Sequence, residues 1–159
     1  MAPLIVLLVS WGLFRAAGAL GWKRAASWRS SGVLALGVMF LFTASAHFTP
    51  MKTDLAAMVP PPFTGQMWVI YVTGVLEIAG AVGLFIPRFQ RLAAYCLIAL
   101  LVSLFPANAY AALNGVEFQG RAATPLIPRT LMQLFWIAML WWAAIRKSAP
   151  TAQPAPASA

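Results

Sequence analysis

Residues 66–87, QMWVIYVTGVLEIAGAVGLFIP, are long enough to cross a membrane as one helix, yet Glu77 sits near their centre. That combination narrows the possible folds more than any other feature of the chain. A run of about 20 apolar residues matches a hydrocarbon core of roughly 30 Å, and a carboxylate at that depth has to be paired, hydrated or neutralised. The remaining sequence is of the same kind. With 62% hydrophobic and only 9% charged residues, bilayer rather than water is the solvent in which the fold has to be sought.

Four more apolar segments, at about residues 3–21, 31–48, 92–112 and 126–145, join 66–87 to give five expected spans with short connections. The expected fold is all-α, a polytopic membrane helical bundle over residues 1–147, because backbone polar groups in lipid are satisfied only within helices or closed barrels. The first segment contains the small-residue pattern AAGAL of a cleavage site. It lacks a basic leader, is too long for a signal core and carries Arg15, so a retained helix is favoured, with Arg15 reaching the interface. Trp68, Tyr71, Trp141 and Trp142 fall near segment ends and read as interfacial anchors. Residues 148–159, SAPTAQPAPASA, have no apolar face and are expected to be a disordered cytoplasmic tail.

Lys and Arg number 11 against 3 Asp and Glu, and their placement alternates from one connection to the next. Lys23, Arg24, Arg29, Arg88, Arg91, Arg146 and Lys147 occupy one set of connections and the end of the fifth segment; Lys52 and Arg121 occupy the other. The positive-inside rule then places a multi-pass protein in the cell (inner) membrane with its N-terminus outside and C-terminus in the cytoplasm. No basic run is interleaved with aromatics, which excludes nucleic acid as the expected partner. Cys96 is the only cysteine, so dithiol chemistry within one chain is excluded. No residue cluster suggests a metal site.

Five polar side chains remain in or at the edge of the apolar segments: His47, Glu77, Asn108, Arg129 and Gln133. Each has a plain structural alternative. His47 can end a helix, Asn108 can cap backbone broken by Pro106, Gln133 can bond a neighbouring helix, and Glu77 with Arg129 can be a purely structural ion pair. Pro106 has no N–H and crowds the Val102 carbonyl, so a kink is expected there, with Asn108 as the donor reaching the freed acceptors. Thr73, Gly74, Gly80 and Ala81 stack with Glu77 at helical spacing, which turns it toward other helices, roughly 15 Å below the outer end. The expectation is a polar pocket in the outer half of the bundle, with Glu77 as its floor, paired with Arg129 or held neutral by burial.

The ordered motifs AHF, MVPPPF, TGVLEIAGAVGL with IPR, FPAN and PRTLMQLFW resemble the DoxX and DoxX-like family of small bacterial membrane proteins, from about Val33 to Trp142. The resemblance implies a four-helix core over residues 31–145 plus one additional N-terminal transmembrane helix. It also places the family's recurring polar residues on His47, Glu77, Asn108, Arg129 and Gln133. It implies an accessory subunit of a quinone-linked membrane redox system, with a membrane or redox partner protein and a quinone as the candidate ligand. The chain carries no Cys pair, haem-type His pair or nucleotide loop, so electrons would need that partner or a bound cofactor. The alternatives are a non-enzymatic adaptor or assembly factor and, less well supported by a single carboxylate, a solute or proton pathway.

Overall fold

The computed structural model describes residues 2–122 and 124–146, and the expected tail at 148–159 lies outside them. The chain is helical, with five long elements: α1 (Ala2–Ala19), α2 (Trp28–Ser45), α4 (Met67–Phe85), α5 (Gln90–Leu113) and α6 (Leu126–Leu140). A short helix, α3 (Lys52–Ala57), interrupts the connection from α2 to α4. A two-stranded hairpin, β1 (Glu117–Phe118) and β2 (Arg121–Ala122), interrupts the connection from α5 to α6. Helices α1, α2, α4 and α5 are long and apolar enough to cross a membrane.

The fifth expected span is corrected in form. Residues 126–145 are not one regular helix: α6 stops after 15 residues and a π-helical turn follows at Trp141–Ile145. At 1.5 Å per residue α6 is only about 22 Å long, short of a roughly 30 Å core. The widened turn lies where the Trp142 ring packs 5.7 Å from Trp11 and against Gly32. Trp142 is therefore part of the packing, while Trp141 remains exposed.

Successive long helices pack side by side, α1 on α2, α2 on α4, α4 on α5 and α5 on α6, and the π turn returns to α2 and α5. Helices α2, α4, α5 and α6 form a ring, and α1 lies outside it against α2. The core fills the ring's centre with Leu36, Met39, Leu84, Leu97 and Leu140, all fully buried or nearly so. Close approach needs small residues, as at Gly80, where an added Cβ would meet the Leu97 side chain at 2.6 Å.

One end of the ring is tied by side-chain donors. Ser27 and Ser30 form a reciprocal cap at the start of α2, and Trp11 Nε1 donates to the Trp28 carbonyl at 3.1 Å and to Ser31 Oγ at 3.0 Å. Arg15 donates to the carbonyls of Ala25 and Ala26, so it closes the α1–α2 turn rather than simply reaching water. Arg24 donates to the Phe85 carbonyl, Arg29 to the Arg146 carbonyl, and Arg91 to the Ile145 carbonyl at 3.4 Å. These arginines satisfy carbonyls that helix ends leave orphaned, where the helix dipole favours cations. At the opposite end α6 meets α2 far less than the π turn does, and the two helices diverge.

Replacement of Gly80 with Ala is expected to lower the thermal midpoint in detergent, because overpacking costs about 1–3 kcal/mol against about 1 kcal/mol of helix propensity gained. Gly12→Ala, where nothing lies within 4 Å of the new Cβ, should leave the midpoint unchanged or raise it.

Candidate functional site: a polar cavity where α2 and α6 diverge

The gap between α2 and α6 is a cavity of about 720 Å³. His47, Glu77, Asn108, Arg129 and Gln133 all line it, although they come from the end of α2 and from α4, α5 and α6. Its apolar wall includes Met39, Phe40, Leu101, Leu104, Met132 and Trp136. Met51 and Leu55 around α3, with Phe118, Gln119 and Arg121 of the hairpin, cover the outer side, and Ala2 and Pro3 of α1 reach its edge.

Glu77 is only 8% exposed and is answered from α2. Thr43 Oγ1 lies 2.5 Å from Glu77 Oε1, and His47 Nε2 lies 3.4 Å from Oε2. The other ring nitrogen, Nδ1, is 2.8 Å from the Ile70 carbonyl. A carbonyl only accepts, so Nδ1 carries a hydrogen, and Nε2 is the ring nitrogen that faces the carboxylate. Thr73 Oγ1 lies 3.3 Å from Nδ1. Gly74 permits this meeting of helices, since a Cβ there would stand 2.6 Å from His47 Cβ.

The expected partnership of Glu77 with Arg129 is therefore corrected. Among the described residues the one ion pair is His47 with Glu77. Arg129 instead donates from Nη1 to Asn108 Oδ1 at 2.7 Å, and its buried Nε has no partner. The reason is local geometry. Thr43 and His47 stand one helical turn apart on α2, on the side facing Glu77, whereas Arg129 enters from α6 on the far side of the gap.

Asn108 serves as an acceptor for Arg129 rather than as the expected donor at the Pro106 break, while Gln133 does bond a neighbouring helix, its Nε2 donating to the Leu101 carbonyl of α5 at 3.0 Å. Helix α5 runs through Pro106 without ending. The hairpin is positioned by a two-residue turn, Gln119 and Gly120, with φ of 55° and 67°. The Gln119 N–H donates to Asp54 Oδ2 at 2.9 Å, which ties the hairpin to α3.

Sequence reasoning missed Thr43 and the hairpin residues Gln119 and Arg121 as cavity groups. Thr43 carried a signal, being a hydroxyl four residues before His47. Arg121 carried none beyond its charge. Among the described residues, no group of three or more His, Cys, Asp or Glu side chains comes together that could hold a metal ion.

Residues 36–144 match the family described as a domain of unknown function, DUF8561. The chain belongs to that family. The resemblance to DoxX proteins is thereby corrected, since the matching family is DUF8561 and no DoxX family matches. The motifs behind that resemblance are short runs of small and apolar residues around single polar groups, a pattern that close helix packing imposes on many chains. The DUF8561 match starts inside α2, so α1 lies outside it, and it includes all five cavity residues named from the sequence. No curated protein and no solved structure matches the chain.

Coupling is expected between His47 and Glu77 but not between Glu77 and Arg129. In double-mutant cycles read by unfolding in detergent, His47→Ala with Glu77→Gln should deviate from additivity by about 1–3 kcal/mol. Glu77→Gln with Arg129→Gln should add to within about 0.5 kcal/mol. Coupling in the second cycle as large as in the first would mean that Arg129 does neutralise Glu77.

Proposed function

We propose that the chain is an integral membrane binding protein whose cavity holds one small amphiphilic molecule. The observation that carries this reading is the mixed lining: one cavity of about 720 Å³ gathers polar side chains from separate elements together with an apolar wall. That volume lies in the range of small-molecule sites, and a few placed polar groups in an apolar wall are what orient a ligand there. His47, Asn108 and Arg129 lie toward the helix ends, and Glu77 and Gln133 lie deeper with the apolar residues. Leu101 is about 10 Å along α5 from Asn108, and Trp136 is about 10 Å along α6 from Arg129.

In this reading the spans are α1, α2, α4, α5 and α6 with its π turn, in alternating directions. The arginine-tied end faces the cytoplasm and the cavity opens toward the outside of the inner membrane, which accords with the distribution of basic residues. The His47–Glu77 contact, with the Thr43 hydroxyl beside it, holds α2 to α4 at membrane depth.

Purification into lipid nanodiscs followed by native mass spectrometry should reveal one bound amphiphile per chain. Leu104→Trp, which fills the apolar wall, should reduce its occupancy at least about tenfold, the loss of roughly 1.4 kcal/mol of affinity, while the protein still folds. A wild-type protein holding no small molecule, with Leu104→Trp fully functional in cells, would sink the reading.

The orientation has its own check. In a Cys96→Ala background, a cysteine at the exposed position Thr53 should react with a membrane-impermeant thiol reagent on intact cells, and one at the exposed position Ala26 should react only after lysis. The reverse pattern would invert the topology.

A further inference from the structure

Arg129 is a cation without an anion. Its Nη1 is engaged by Asn108 Oδ1, a neutral acceptor, and its Nε is buried without any partner. The chain has 3 acidic residues, Asp54, Glu77 and Glu117. Glu77 has one oxygen on Thr43 and the other beside His47, Asp54 accepts from the hairpin backbone, and Glu117 lies exposed on β1. None of the three forms an ion pair with Arg129. Arg121 lines the same cavity at its outer side.

A guanidinium at the edge of an apolar cavity is costly to leave uncompensated, and its planar fork suits a two-oxygen anion better than a neutral carbonyl. Asn108 fixes the fork from one side, so the orphaned Nε–H is held in place rather than free to turn toward water. Glu77 is engaged by Thr43 and His47, and the guanidinium groups that line the cavity are those of Arg129 and Arg121.

We infer that the cavity takes an amphiphile whose polar end is an anionic oxygen group, a carboxylate or a phosphate monoester, which docks on Arg129. The inference rests on the reading of the cavity as a ligand site and names the chemistry of its occupant. The apolar wall of Leu101, Leu104, Met132 and Trp136 runs inward from Arg129 and Asn108 and receives the chain of the same molecule. A neutral headgroup can accept from Nε but leaves the charge of Arg129 without a counter-charge.

The test uses the full chain in nanodiscs of zwitterionic phosphatidylcholine and compares wild type with Arg129→Gln for each probe, which cancels partitioning of the probe into lipid. The probes are dodecanoate, dodecyl phosphate, dodecanol and free acetate or inorganic phosphate, read by bound mass and by thermal midpoint. Dodecanoate and dodecyl phosphate should bind wild type at least about tenfold more tightly than Arg129→Gln, the size expected of a charge-assisted hydrogen bond. Dodecanol should bind both alike. Asn108→Ala, a second variant that releases the fork, should weaken dodecanoate by roughly threefold to tenfold and keeps the test open if Arg129→Gln does not fold.

Equal effects of Arg129→Gln on dodecanol and dodecanoate would overturn the anionic headgroup and leave the cavity reading intact. Binding of free acetate or phosphate as tight as that of the long-chain probes would support the anion site at Arg129 and overturn an amphiphilic occupant. If no probe binds wild type and Leu104→Trp changes nothing, the ligand-site reading itself falls.

Discussion

The cavity end of this molecule depends on how Glu77 is partnered. A carboxylate in the middle of an apolar helix has to be answered by the protein, and here the answer comes from one face of α2. Thr43 and His47 take one carboxylate oxygen each. The Ile70 carbonyl then fixes the imidazole from the α4 side, so the same ring bonds α4 and faces its carboxylate. Gly74 is what allows the two helices to come this close. Because α2 meets the whole demand of Glu77, α6 is not drawn across the gap, and the space between α2 and α6 stays open.

Arginine does different work at the two ends. At the tied end Arg15, Arg24, Arg29 and Arg91 donate to backbone carbonyls at or near the ends of helices, and so stitch neighbouring elements together. These same residues give the sequence its alternating charge. A count that points to topology is thus also a set of helix caps, and the two roles are compatible because the C-terminal ends of α1, α4 and α6 all lie there. At the cavity end Arg129 finds only an amide oxygen.

The apolar segments could be read from the sequence because bilayer thickness sets helix length and leaves few alternatives for residues 3–21, 31–48, 66–87 and 92–112. The break at Trp141 could not, since nothing in LWWAAI distinguishes a π turn from a regular one. The five polar cavity residues stood out because polar groups are rare in such segments and each needs a reason. Their partners did not follow. Pairing Glu77 with Arg129 assumed that opposite charges seek each other, whereas depth and helix face gave Glu77 to Thr43 and His47. Asn108 accepts from Arg129 instead of donating at the kink for the same reason: the choice of partner depends on how α5 and α6 are rotated, which periodicity does not encode. The hairpin was invisible because two residues per strand carry no alternation to detect.

The bond from the Gln119 N–H to Asp54 Oδ2 joins positions 65 residues apart, and the helices α4 and α5 lie between them. The rim of the cavity thus joins two connections distant in the chain, so a change at Asp54 acts on Gln119 and Arg121 at the cavity mouth without touching the long helices beneath them.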